Sequence, residues 1–248
     1  MQKISIIIPA YNEEQRIKRT LQTYIAYFNR LKDQLLLDYE IVVALNGCKD
    51  DTLGVVQEIQ KTTPECFYID HPESGKGLAI KEGFLDAIQR SNDLIGFVDA
   101  DMATSPQAFY DLIVHLNDAD GIIASRYMKE SKISPPRPLI KRWGSKLIYE
   151  PLVRLLLGLR YKDLQCGAKI FKRHVVMSIA PLMMMTQWAF DAEMLYLCKN
   201  AGFKIKEFPT EWYDQAGSKL KYSSGLKMLG SIIKLRLRNS MFKRFFSY

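Results

Sequence analysis

Between Lys3 and Tyr127 apolar runs of strand length alternate with segments of helical periodicity, and this alternation narrows the available folds more than any other feature. "KISIIIPAY" reads as a buried strand of β-branched residues ended by Pro9. "NEEQRIKRTLQTYIAYFNRL" follows with Ile17, Leu21, Tyr24, Ile25 and Phe28 at helical spacing, and Asn12 is expected to cap it with acids in its first turn. "YEIVVAL" and "CFYID" are the next strands, the first followed by the helical "LGVVQEIQK". The loop "HPESGKG" precedes a helix with Ile80, Phe84 and Ile88 on one face. Then come the strand "DLIGFVDAD", a helix opened by Ser105 and Pro106, and the strand "DGIIASRY". Such a series predicts an α/β chain with a doubly wound, mostly parallel sheet and helices on both faces. Ligands of these sheets bind beyond the carboxyl ends of the strands. Here those ends are "PAYNEE", "NGCKDD", "HPESGKG" and "DADMAT", all polar and three of them acidic.

The sharpest of them is "GFVDADMAT", where an apolar strand drives into Asp99 and Asp101. Carboxylates at the end of a buried strand are costly unless something pairs with them. Residues two apart in a strand share a face, so the pair is expected to point one way and to suit Mg²⁺ or Mn²⁺, with a ligand's phosphates completing the metal's shell. The plainer alternative is a solvated strand end that caps the next helix. Several other chemistries lack their motifs. No G-x-G-x-x-G follows the first strand, and no G-x-x-x-x-G-K-[ST] occurs. A phosphotransferase loop of the D-x-D-x-[TV] kind would need Thr or Val where this chain has Ala103. Four dispersed cysteines without metal spacing read as reduced thiols of a cytosolic protein, and three scattered histidines form no metal motif.

"PAYNEE", the D-x-D strand end and "SRY", in that order, resemble glycosyltransferase family 2, whose nucleotide-sugar-binding fold is called GT-A. "LLGLRYKDLQCGAKIFKR", "QWAFDAEMLYLCKNAGFKIKEFP" and "EWYDQAGSKLK" are similar to its dolichyl-phosphate β-glucosyltransferase branch, kin of the dolichyl-phosphate mannose synthases. The resemblance runs from Lys3 to Leu235. It implies an inverting, metal-dependent transfer of a hexose from a nucleotide sugar to a polyprenyl or dolichyl phosphate. UDP-glucose is the favoured donor and GDP-mannose the alternative. A glycan acceptor, or an inactive sugar-nucleotide-binding scaffold, are the other readings.

Under that resemblance Asp101 is the main metal ligand, and Asp99 holds the ribose or the metal's water shell, with Ala100 between them. Pro9, Ala10, Tyr11 and Glu13 of the first loop and Asn46 of the second hold the nucleotide. Many relatives have "DDGS" where this chain has "LNGC", so Leu45 replaces an acid often used to read the base, and the amide of Asn46 is left to read it. Lys76 is expected on the "SGKG" loop, approaching a phosphate because its flanking glycines keep the backbone open. A phosphate monoester, with a second pKa near ~6, is already an anion at neutral pH and needs cations more than a general base. Arg126 and Lys169 are expected to face it, with Lys219 on a loop near the diphosphate. Asp191 orients these cations, contacts the sugar, or simply favours a helix N-terminus. Asp163 and Gln165 contact sugar hydroxyls or close a turn. Trp188 and Trp212 stack on sugar or pack in the core.

Charge placement suggests how a chain of this kind reaches a lipid. Of 35 Lys and Arg, eight lie in residues 219–248, which hold no acid, so the remaining 27 balance the 27 acids. In this tail Leu226, Leu229, Ile233 and Leu237 form one helical stripe with Lys227, Lys234 and Arg238 beside it. That is the pattern of a helix lying on an anionic membrane surface, and "RPLIKRWGSKLIYEPLVRLLLGL" adds a second basic, apolar segment. Packing on the body or a homo-oligomer contact is the alternative. No nucleic-acid-binding motif accompanies the charge. The expected organisation is a catalytic domain over 1–218, with a nucleotide-binding half at 1–127 and an acceptor-binding half at 128–218, followed by a membrane-associating tail at 219–248. Neither a signal-peptide pattern nor an apolar run of about 18 residues is present, so the expectation is a peripheral protein on the cytoplasmic side of a membrane.

Overall fold

The structure, a computed structural model, describes residues 1–135, 150–187, 189–213 and 230–237. Its centre is a seven-stranded sheet in the order β3-β2-β1-β4-β7-β5-β8. The strands are β1 (Lys3–Ala10), β2 (Asp38–Asn46), β3 (Cys66–His71), β4 (Leu94–Val98), β5 (Gly121–Ser125), β7 (Ala168–Lys172) and β8 (Ile205–Pro209). β1 lies between β2 and β4 and is parallel to both. Its isoleucines are buried on alternate faces, as a central strand requires: Ile4, Ile6 and Ile8 on one side, Ile7 on the other. β7 runs antiparallel to β4 and β5. This strand comes from the later half of the chain, so the two expected halves meet inside one sheet.

Helices α1 (Ile17–Asp33), α2 (Thr52–Gln60) and α4 (Pro106–Val114) belong to the first face, where Tyr24, Phe28 and Phe109 pack against Ile41 and Val43. On the other face are α3 (Lys76–Gln89), α6 (Arg173–Ile179) and α7 (Phe190–Asn200), joined to Ile7, Val42 and Phe97 through Phe84, Val176 and Phe190. A third cluster joins α5 (Glu150–Leu157) to α7 and to a helix over 230–237. A small parallel sheet pairs β6 (Lys132–Ser134) with β9 (Glu211–Tyr213).

Local expectations divide at the helix starts. Ser105 does cap α4, its Oγ accepting from the Ala108 N–H at 3.1 Å, with proline at the first position. Asn12 does not cap α1. It sits at φ +52° and its Oδ1 accepts from the Lys49 N–H at 2.7 Å, tying the first polar loop to the second. α1 starts at Ile17 and has no acid in its first turn. The tail also differs from its expected stripe. Within 230–237, Ile232 and Leu235 are buried in the cluster that holds Val153, Leu157 and Leu195, whereas Ile233 and Leu237 are exposed. Leu226, Leu229, Lys227 and Arg238 lie outside the described residues. No helix among the described residues is long and apolar enough to cross a membrane.

Candidate active site

After β1 the chain builds β2 and β3 to one side; after α3 it crosses back to place β4 on the other side of β1. The crevice at such a reversal is where open α/β sheets bind ligands. Here it lies between Ala10 and Tyr11 at the end of β1 and Asp99 at the end of β4.

Asp99 and Asp101 lie together, but not by strand alternation. β4 stops at Val98, and both acids sit in a turn that places Met102 at φ +61°. Three tertiary tethers hold this turn. Thr20 Oγ1 on α1 donates to the Ala100 carbonyl at 2.7 Å, and Tyr24 Oη, one helical turn on, donates to the Thr104 carbonyl at 2.9 Å. The Asp99 N–H donates to the Gly167 carbonyl at 3.0 Å. A Cβ on Gly167 would collide with the Asp99 carboxylate, so glycine before β7 leaves that side chain its position. Asp101 Oδ1 accepts from the Ala103 N–H at 3.0 Å. Burial, and next the charge of Asp99, hold the Asp101 carboxyl above the ordinary carboxylate range. These donors fit a hard divalent cation. They are two acids forced close enough to repel one another, and Asp99 Oδ1 is sealed from solvent with the Lys76 ammonium against it. No group of three or more His, Cys, Asp or Glu among the described residues forms a closed metal cage. A two-carboxylate site leaves the rest of the shell to phosphates and water.

Lys76 is not on a loop. It is the first residue of α3, whose first turn is clamped: the Gly77 and Leu78 N–H groups donate to the Thr186 carbonyl at 2.9 and 3.2 Å. Gly75 and Gly77 let the 185–186 backbone approach, since a Cβ on either would strike the Thr186 or Met185 carbonyl. Their role is this contact rather than an open backbone for phosphate. The fully buried Glu193, which sequence reasoning missed, pins the same segment by accepting from the Met184 and Met185 N–H groups at 2.9 and 2.7 Å. A second acid after Asp191 in an otherwise largely apolar helix was its only signal. Burial pulls the Lys76 pKa down, but the Asp99 and Asp191 charges outweigh it and leave it raised.

The Asn46 amide is engaged within the protein. Its Nδ2 donates to the Ala10 carbonyl at 2.8 Å and its Oδ1 accepts from the Gly75 N–H at 3.1 Å. It therefore laces the ends of β1 and β2 to the start of α3. Leu45 beside it is fully buried. Tyr11 is exposed at the rim, while Glu13 is buried, pairs with Arg16 and donates its N–H to Thr52 Oγ1 at 2.8 Å. Pro9 and Ala10 end β1.

Arg126 and Lys169 are each placed on a buried carboxylate. Arg126 makes a two-pronged pair with Asp163, Nε to Oδ2 at 2.7 Å and Nη2 to Oδ1 at 2.9 Å, and its guanidinium lies 5.3 Å from the Trp212 ring centre. Burial opposes both charges, yet each partner wins: Arg126 is held well above its usual range and Asp163 below its own. Lys169, fully buried, donates from Nζ to Asp191 Oδ1 at 2.6 Å and to the Cys166 carbonyl at 2.7 Å. Burial raises the Asp191 carboxyl against the pull of Lys169. Asp191 also lies in the first turn of α7, so it holds a cation and sits at a helix N-terminus at once. The Gln165 N–H donates to Asp163 Oδ1 at 3.2 Å, closing a turn. Trp212 packs in the core. Lys219 and Trp188 lie outside the described residues.

Fold and crevice together are those of the GT-A class, a mostly parallel sheet with paired acids at its reversal point. The chain belongs to the family described as Glycosyl transferase family 2, which matches residues 5–179. It is 32% identical over 244 residues to a dolichyl-phosphate β-glucosyltransferase of Trichomonas vaginalis, covering 94% of this chain and 73% of that one. The enzyme of that name from Dictyostelium discoideum is 32% identical over 248 residues, with 95% and 74% covered. Among solved structures, glucosyl-3-phosphoglycerate synthase of Mycobacterium tuberculosis, in complex with Mn²⁺, UDP and glucosyl-3-phosphoglycerate, shares the fold at a TM-score of 0.67 and 19% identity, with 96% of this chain and 79% of that one covered.

Proposed function

We propose that this family 2 glycosyltransferase moves glucose from UDP-glucose to a polyprenyl phosphate at a membrane surface, with inversion at the sugar carbon. The observation that carries the reading is the half-buried pair Asp99 and Asp101 at the sheet's reversal point, in a chain about a third identical to enzymes named for transfer to dolichyl phosphate. Asp101 and Asp99 would hold Mg²⁺ or Mn²⁺. When bound, that cation neutralises charge developing on the departing diphosphate. Tyr11 and the loops after β1 and β2 flank the nucleotide, and Lys76 serves the diphosphate. An oxygen of the acceptor phosphate, already an anion, attacks the sugar carbon as its bond to the nucleotide's phosphate breaks, so no side chain has to remove a proton. Arg126 with Asp163, and Lys169 with Asp191, act as positioning pairs under this crevice. Lys219, expected on a loop near the diphosphate, is assigned to the acceptor phosphate that approaches it.

The membrane side is the helix over 230–237 beside α5. Ile233 and Leu237, one turn apart, are exposed along with Leu155, and Arg154, Lys234 and Arg236 are exposed around them. An apolar strip ringed by basic groups matches an anionic lipid surface on the cytoplasmic face. Incubating the protein with labelled UDP-glucose, polyprenyl phosphate in liposomes and Mn²⁺ should yield a glucosylated lipid. If neither UDP-glucose nor GDP-mannose produces a glycolipid, the acceptor assignment is wrong.

A further inference from the structure

Three carboxylates, Asp99, Asp101 and Asp191, meet two ammonium groups, Lys76 and Lys169, at the crevice floor. Lys169 is fixed by Asp191 and the Cys166 carbonyl and has no exposure. Lys76 is different. Its backbone is clamped at the start of α3, but its side chain is partly exposed, ion-paired with Asp99, and its Nζ lies 5.8 Å from the Phe190 ring centre. A single positive charge therefore sits on a carboxylate that a divalent cation would need. A lysine ammonium on a flexible four-carbon stem can change partners without moving its Cα.

We propose that Lys76 is a resident counter-ion of this site, pairing with Asp99 when the donor is absent and passing to the donor's diphosphate when it enters with the metal. This rests on reading Asp99 and Asp101 as the metal site. The consequence is that metal and nucleotide bind as a unit. A bare divalent cation must displace Lys76 from Asp99, and Asp191, another carboxylate whose charge acts on Lys76, is already engaged by Lys169. The five side chains together carry one net negative charge, which a metal alone would turn positive. A metal with UDP-glucose, whose two phosphates are ionised, adds no net charge and supplies the anion that Lys76 has lost.

Mn²⁺ binding, followed by the loss of the free-ion paramagnetic resonance signal with and without UDP, tests this without any turnover. Wild type should bind Mn²⁺ weakly alone and more tightly with UDP, by a coupling factor of roughly 5–150. K76Q should bind Mn²⁺ alone more tightly than wild type and lose most of that coupling, while K76R should keep it. Equal Mn²⁺ affinities and equal coupling in wild type and K76Q would overturn the proposal, as would a wild type whose Mn²⁺ affinity ignores UDP, a result that needs no variant to fold. The underlying metal-site reading fails separately: then no form binds Mn²⁺ even with UDP, or D101N binds it as wild type does, and the counter-ion role falls with it.

Discussion

Replacing Asp191 with asparagine removes one charge from the most enclosed ion pair among the described residues while keeping the side chain's shape. Lys169 has no exposed surface, and its ammonium touches Asp191 Oδ1 at 2.6 Å and the Cys166 carbonyl at 2.7 Å, with the Phe97 ring centre 5.3 Å away. Removing one partner of a buried pair costs ~3–5 kcal/mol; asparagine still offers an acceptor oxygen and sheds the burial cost that raises the Asp191 carboxyl, so D191N should fall at the lower end, near ~3 kcal/mol. For a chain of this size each kcal/mol shifts the melting midpoint by about 2–4 °C, so D191N should melt about 6–12 °C below wild type. The converse variant, K169M, leaves an acid that can escape its burial by taking a proton. Its folded-state pKa then lies above the unfolded value, so the folded form binds more protons and stability must fall as pH rises through and above the carboxylate range. Differential scanning fluorimetry across that range reads both effects. The double variant K169M/D191L, with neither charge, should recover much of the loss. A D191N midpoint equal to wild type, or a K169M stability that rises with pH, would refute the claim that Asp191 compensates a buried charge.

G167A places a methyl group on the Asp99 carboxylate; strain of about 1–3 kcal/mol should appear in the melt, and UDP binding with Mn²⁺ should weaken at least about tenfold in calorimetric titration. Burial and Asp99 raise the Asp101 pKa, so ionised Asp101 costs folding free energy once the pH exceeds the ordinary carboxylate value; D101N should therefore melt higher than wild type at neutral pH, with the gain vanishing as the solution is acidified through that range, although it loses metal binding. I233D/L237D changes two exposed side chains, so its melting midpoint should stay within about 0.5 kcal/mol of wild type in free energy; its partition onto anionic liposomes in a flotation assay should fall by more than about a hundredfold if both side chains enter the lipid.

What could be read from the sequence follows from how local its cause is. The strand–helix alternation was legible because β-branched runs such as Ile6–Ile7–Ile8 and the spacing of Leu21, Tyr24 and Phe28 each carry their own period. The acidic end of β4 was legible because apolar residues run directly into charge. β7 was not legible as the middle of the sheet. "AKIFK" is five residues long, and only its pairing with β4 and β5 gives it a place. Asn12 and Asn46 had the right chemistry for a cap and for a base, but partners 37 and 29 residues away, the Lys49 and Gly75 N–H groups, claim their amide oxygens. Gly167 and Glu193 act through contacts that no window of sequence contains.

The basic residues of the later motifs show the same limit from another side. Read along the chain, Arg126 in "SRY" and Lys169 in "QCGAK" look like groups waiting for an anionic ligand. In the fold both positions are interior, and an interior charge persists only with a partner. Asp163 and Asp191 are those partners, each brought from a separate segment, and each pair is locally neutral. Among the described residues this leaves Asp99, Asp101 and Lys76 as crevice charges that remain partly open to solvent. Lys76 is, among the described residues, the ammonium ion-paired with Asp99, so a cation arriving in the crevice meets it as a competitor, and on the proposal above that competitor follows the diphosphate.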